Sequence, residues 1–199
     1  MKSGGLTGVG RGDALVIVDL QNDFLPGGAL PVRGGDEVVP VLNRYIALFT
    51  AGRLPVFATR DWHPSDHCSF VDYGGIWPPH CIASTEGAGF APALALPTDA
   101  TIISKATSSE EDVYSGFEGT ELSERLRQAA VTRLFVGGLA TDYCVLNTVR
   151  DGVKEGFDVV LLRDAIRAVN VRPGDGQKAE SEMEALGAVP SDYGTVTAS

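Results

Sequence analysis

The feature that most constrains this chain is a series of short apolar runs, each unbroken and each ending in or beside a polar residue. Ala14 to Val18 leads into Asp19, Leu54 to Thr59 leads towards Asp61, and Ala100 to Ser104 ends at Lys105. Leu134 to Val136 leads into Gly137-Gly-Leu-Ala-Thr-Asp-Tyr-Cys144. Such runs, without polar alternation, are the pattern of parallel strands covered on both faces. Between them the apolar positions change to helical spacing. Val38, Val41, Leu42, Tyr45, Leu48 and Phe49 precede Gly52, Leu122 and Leu126 share one side of 121–130, and Val145, Val149 and Val153 precede Gly156. Val159 to Leu162 predicts a fifth strand, Gln177 to Leu186 a further helix, and Ala188-Val189 a short last strand. Strands and helices alternating in this way, with right-handed crossovers, predict an α/β fold with a parallel sheet and helices on both faces.

A chain of 199 residues can bury a substantial core, and its pattern predicts one domain over 13–190 with a flexible lead-in at 1–12 and a frayed tail at 191–199. Gly8-Val-Gly10-Arg-Gly12 precedes the first strand, so it is not a dinucleotide-binding turn, which follows one. The net charge of −10, with no basic run, argues against a nucleic-acid partner. No apolar run reaches membrane length and the first residues lack an apolar export core, so neither a membrane nor an export signal is expected. Cys68, Cys81 and Cys144 are an odd number without the spacing of a disulfide scaffold, which suits a cytoplasmic protein. The sequence leaves a homo-oligomer open.

In an open parallel sheet the carboxyl ends of the strands share one edge, where ligands bind. Asp19, Lys105 and Cys144 would converge there as acid, ammonium and thiol. Cys144 stands where a strand turns into a helix with Thr141 as N-cap, so the helix dipole should let the thiol ionise easily. A buried packing cysteine is an equally good reading of that stretch alone. In the functional reading, Lys105 stabilises the thiolate while Asp19 takes its proton and later returns one to a leaving group.

All three histidines lie in 63–80. Asp61 and His63, two apart on extended chain, can face the same side. With His80 they make a two-histidine, one-carboxylate set that leaves positions for water or substrate, as in an open metal site. His67 is a further candidate, either as ligand or as pocket residue. Phe24, Trp62, Trp77 and Tyr114 fall in or beside the same loops and suit a flat aromatic substrate.

Five motifs stand in one order: Asp19-Leu-Gln-Asn-Asp-Phe24, Arg60-Asp-Trp-His-Pro-Ser-Asp-His67, Trp77-Pro-Pro-His-Cys81, Tyr114-Ser-Gly-Phe-Glu118 and Gly138-Leu-Ala-Thr-Asp-Tyr-Cys144. From about Ala14 to Val189 the chain resembles the nicotinamidases of the isochorismatase-like cysteine hydrolase superfamily, a group that includes pyrazinamide-hydrolysing enzymes. The resemblance implies a Rossmann-like, three-layer fold on a six-stranded parallel sheet, and hydrolysis of nicotinamide to nicotinic acid and ammonia through a thioester. It implies Cys144 as nucleophile with Lys105 and Asp19, an oxyanion hole from Ala140 and Cys144, and a cis peptide at Leu139-Ala140. The implied metal ligands are Asp61, His63 and His80, with His67 undecided. The implied ion is divalent, zinc first, with iron or manganese as alternatives. The substrate pocket would comprise Phe24, Gln21, Trp77 and Tyr114. Two alternatives stay open: a superfamily hydrolase acting on another carbamoyl, amide or vinyl-ether substrate, and a non-catalytic metal-binding or scaffold protein. Ala106 to Val113 is more acidic than the resemblance leads one to expect.

Overall fold

The computed structural model describes residues 7–198. Its strands are β1 (Thr7–Val9), β2 (Asp13–Val18), β3 (Val56–Asp61), β4 (Thr101–Lys105), β5 (Arg133–Leu139), β6 (Asp158–Arg167), β7 (Val189–Ser191) and β8 (Val196–Ala198). The helices are α1 (Val38–Ala51), α2 (Leu122–Gln128), α3 (Leu146–Lys154) and α4 (Asp175–Ala185). Six strands form one sheet in the order β4-β3-β2-β5-β6-β7, with every pairing parallel. This is the predicted fold.

Alternation along β2 divides the core. Leu15 and Ile17 face one layer, where Leu42, Tyr45, Ile46 and Phe49 of α1 cover the sheet. Ala14, Val16 and Val18 face the other, against Leu122 and Leu126 of α2, Val149 of α3, and Ala179 and Met183 of α4. All six residues of β2 are buried, which is why its sequence reads as a continuous apolar run after Asp13.

The sheet order places the site. From β2 the chain steps outward to β3 and β4, then returns to the other flank of β2 as β5. Connections therefore leave β2 and β5 in opposite directions, opening a crevice at their carboxyl ends. Asp19 follows β2, Asp61 and Lys105 end β3 and β4, and Cys144 follows β5. Gly138 makes the close passage possible. Its φ is +126°, and a Cβ there would meet the Val18 carbonyl oxygen.

Three expectations change. Part of the predicted lead-in and tail is ordered: β1 pairs with β8, Thr7 opposite Val196 and Val9 opposite Ala198. Residues 1–6 of the lead-in, and Ser199, lie outside the described residues. Thr141 is not a side-chain cap but the first residue of a π-helical turn, Thr141–Val145, that carries Cys144 into α3. The strand expected at 159–162 runs on to Arg167 after a register break opposite β5.

Candidate active site

Asp19 leaves β2 with φ +46°, a conformation an aspartate tolerates better than most residues, and this turn sets its carboxylate under the sheet edge. Thr59 fixes one oxygen, its hydroxyl donating to Asp19 Oδ1 at 2.6 Å. The Lys105 ammonium lies 3.0 Å from Oδ2, contacts Asp61 Oδ1, and stands 3.4 Å from Cys144 Sγ. No donor reaches Asp19 Oδ2 in hydrogen-bonding geometry, and among the described residues it is the one buried side-chain polar atom so placed. The three residues that the strand ends suggested are therefore brought together around one ammonium group.

The electrostatics of Cys144 pull in both directions. Burial raises the Cys144 thiol well above its ordinary range; Lys105 pulls it back down, while Asp19 and Asp61 push it further up. The helix-end argument omitted two carboxylates that share the cation. Burial alone would lower Lys105, but Asp19 and Asp61 hold it well above the usual lysine range and thus charged. Burial raises Asp19, and Lys105 opposes that rise only in part. Asp19 is thereby a carboxylate able both to accept a proton and to give it up.

Beside this cluster, ligand atoms of Asp61, His63 and His80 all lie within 4.8 Å of one another, each residue buried. Each imidazole uses its Nδ1 on a backbone carbonyl, His63 on Ala106 at 3.3 Å and His80 on Pro78 at 2.8 Å. That orients Nε2 of both rings as the free donor, the arrangement that metal-ligating histidines favour. Burial lowers His63 to about 4, so it is neutral at pH 7 as a ligand must be. Two imidazoles and a carboxylate fit a divalent cation of borderline softness. His67 does not complete the set: its Nδ1 is 2.7 Å from Ser69 Oγ and its Nε2 is 3.1 Å from the Glu111 carbonyl.

A cavity joins both clusters, with Cys144, Asp61, His63 and His80 in its wall. Phe24, Trp77 and Tyr114 line it as expected. Gln21 does not. It is fully buried, and its amide donates to the carbonyls of Asp61 and Ala88 while accepting the Asp61 N–H, so it braces the end of β3 at Asp61 rather than facing a ligand. Trp62 is likewise outside the lining, its ring stacked under the Arg60 guanidinium.

Residues the sequence did not single out complete the wall. Tyr143 packs edge-on against Trp77, and its place next to Cys144 was the available signal. Val169 is held by Asp142, whose carboxylate accepts the N–H groups of Val169 and Asn170. Asp23 ties the first loop to the loop that carries His80 by accepting the Cys81 N–H at 2.7 Å. The peptide between Leu139 and Ala140 is cis, as the resemblance implied.

An isochorismatase domain is matched over residues 13–193. The chain belongs to the isochorismatase family. Among its relatives, the nicotinamidase of Escherichia coli is 39% identical over 88% of this chain and 92% of its own. The pyrazinamidase of Pyrococcus horikoshii, solved in complex with zinc, superposes with a TM-score of 0.88 at 47% identity, covering 92% of this chain and 99% of that one. PnC1 from L. infantum, solved in complex with nicotinate, gives a TM-score of 0.91 at 35% identity over 98% of this chain and all of that one. Among the described residues of this isochorismatase-family chain, no helix is long and apolar enough to cross a membrane.

Proposed function

We propose that this chain is a metal-containing cysteine amidohydrolase that converts nicotinamide to nicotinic acid and ammonia, and that it also accepts pyrazinamide. The observation that carries this is the placement of Cys144, Asp61, His63 and His80 in the wall of one aromatic-lined cavity, with Lys105 buried against Cys144 and against an Asp19 oxygen that has no hydrogen bond. The relatives named above support the substrate class.

Asp19 Oδ2 takes the Cys144 proton as sulfur attacks the amide carbonyl, and the Ala140 and Cys144 N–H groups receive the developing oxyanion. Collapse breaks the C–N bond, and Asp19 returns its proton to the departing ammonia. Asp19 then deprotonates water, which opens the thioester and restores the thiol. Lys105 stays charged throughout, offsetting the negative charge on sulfur or carboxylate. Phe24, Trp77, Tyr114 and Tyr143 hold the ring and exclude water. Asp61, His63 and His80 would hold a divalent cation, zinc in our reading, which supplies Lewis acidity and a coordination position for a pyridine nitrogen. We assign the whole of 13–190 to this one hydrolase domain and place it in the cytoplasm, in keeping with three unpaired cysteines.

Ammonia release from nicotinamide, pyrazinamide, benzamide and an N-carbamoyl amide, with and without chelator, tests the proposal. Nicotinamide and pyrazinamide should far outpace benzamide, which lacks the ring nitrogen, and chelation or His63→Ala should narrow that gap. A faster N-carbamoyl substrate would assign the chain to a different superfamily activity. An undiminished preference for nicotinamide in the metal-free protein would refute the role given to the three ligands.

A further inference from the structure

The acidic segment before Tyr114 is not used by the chemistry above, yet one of its carboxylates reaches the site. Asp112 lines the cavity, whereas Glu110 and Glu111 do not. Trp77 Nε1 donates to the Tyr114 hydroxyl at 3.1 Å, and that hydroxyl donates to Asp112 Oδ2 at 2.9 Å. The two aromatics that wall the pocket thus also aim a carboxylate at its mouth. Among the described residues, no cation lies within ion-pairing distance of Asp112, so its charge is not cancelled locally. Its charge is felt inside: burial raises the Tyr114 hydroxyl and Asp112 adds to that rise, while burial lowers His67 and Asp112 opposes it.

The charges of the floor explain what such a group would do. The Asp19–Cys144 pair shares one proton and carries one negative charge wherever that proton sits. Asp61 adds a second and Lys105 cancels one. With a divalent cation on Asp61, His63 and His80 the floor carries net plus one, which by itself favours an anionic ligand over a neutral amide. Hydrolysis of an amide turns a neutral substrate into a carboxylate.

We propose that Asp112 is a specificity-determining residue that brings the pocket to neutrality, so that neutral amides are admitted and the carboxylate product is turned out. This rests on the amidase reading for its biological meaning, but the charge filter can be measured without turnover. Cys144 lines the same cavity as Asp112, and iodoacetamide and iodoacetate differ by one charge. Because both reagents meet the same thiolate, its ionisation cancels in the ratio of their rates.

Alkylation of Cys144, resolved from Cys68 and Cys81 by peptide mapping and normalised to a free cysteine peptide, should give iodoacetate no advantage over iodoacetamide in the purified, metal-retaining protein. Asp112→Asn keeps the oxygen that accepts the Tyr114 hydroxyl and removes the charge, and it should shift the ratio of the two rates about threefold towards iodoacetate, a modest factor because the mouth is open to solvent. Glu110→Gln should not move it. In turnover, Asp112→Asn should strengthen inhibition by nicotinate relative to the KM for nicotinamide by a similar factor. An unchanged alkylation ratio in Asp112→Asn, or an equal change in Glu110→Gln, would overturn the proposal. A protein that shifts its alkylation ratio as expected but hydrolyses no amide would keep the filter and sink the amidase reading instead.

Discussion

Strand β2 has an aspartate at each end, and each meets a cation, yet the two pairs are built to opposite purposes. At the amino end, Asp13 is met by Arg133 through both oxygens, at 2.8 and 2.7 Å, and it also accepts the Gly10 N–H. Arg133 spends its remaining reach on the Gly8 carbonyl of β1, so the pair ties the β1–β8 ribbon to the sheet. At the carboxyl end, one ammonium is shared by Asp19, Asp61 and Cys144, and an oxygen of Asp19 is left without a hydrogen bond. A geometrically matched, fully used pair contributes stability. A buried group left short of partners is costly to keep, and it persists where chemistry needs a vacant acceptor. The backbone agrees: Asp19, Cys81 and Ala106, all beside the site, have positive φ without being glycine, a conformation costing on the order of 1 kcal/mol each.

The largest effects should separate the two ends by activity. Asp19→Asn should lower kcat/KM for nicotinamide by about a thousandfold or more, the scale of a lost general acid–base, and Cys144→Ala should leave no measurable turnover. Neither should greatly reduce the thermal midpoint, because Lys105 keeps Asp61 as its partner when Asp19 is neutralised, and the Cys144 thiol is a small group. A large loss of stability in Asp19→Asn would mean that its pairing with Lys105 is structural, like that of Asp13. The converse belongs to Arg133→Leu. It should destabilise by about 2 kcal/mol, less than a fully buried pair because the arginine is partly exposed, while kcat at low temperature stays as in the parent. Urea denaturation and ammonia release on the same preparation measure both.

The asymmetry was partly legible in the sequence. Parallel strands buried on both faces read as unbroken apolar runs, so Asp19, Lys105 and Cys144 stood out because each ended one. The grouping of Asp61, His63 and His80 was legible for a different reason, since all three fall within residues 61–80 and such closeness in sequence survives without knowing the fold. The partners of each polar group were not legible. Gln21 sits in the same motif as Asp19 and Phe24, yet its amide is consumed by the backbone of Asp61 and Ala88, contacts that need the third dimension. Nε2 of His67 is used by the Glu111 carbonyl of the segment that folds over it, and Nδ1 by Ser69 two residues on. The pairing of β1 with β8 joins two three-residue stretches almost the whole chain apart, too short to show any period. Ordinary charge patterning also could not show that Asp13 and Arg133 meet, 120 residues apart in sequence.

The smallest effect is also the one that tests the shared ammonium most directly. Burial raises the Cys144 thiol, Lys105 lowers it and Asp19 raises it. The two neighbours therefore act on the same proton with opposite signs, and their removal should move the alkylation profile in opposite directions. In Lys105→Met the thiolate loses its nearby positive charge, so less of it exists at any given pH and the rise of iodoacetamide reactivity shifts to higher pH. In Asp19→Asn a neighbouring negative charge is gone, the thiolate forms more readily, and the rise shifts to lower pH, although this variant is the one expected to lose turnover. Reactivity and catalysis would then part company: the protein with the more reactive thiol would be the worse enzyme, because it has nowhere to put the proton and nothing to give the leaving ammonia. If instead Asp19→Asn moved the profile upward along with Lys105→Met, Asp19 would act by holding Lys105 in place rather than by facing the thiol, and the vacant oxygen would have to be explained as a packing feature of the same kind as the pair at the other end of β2.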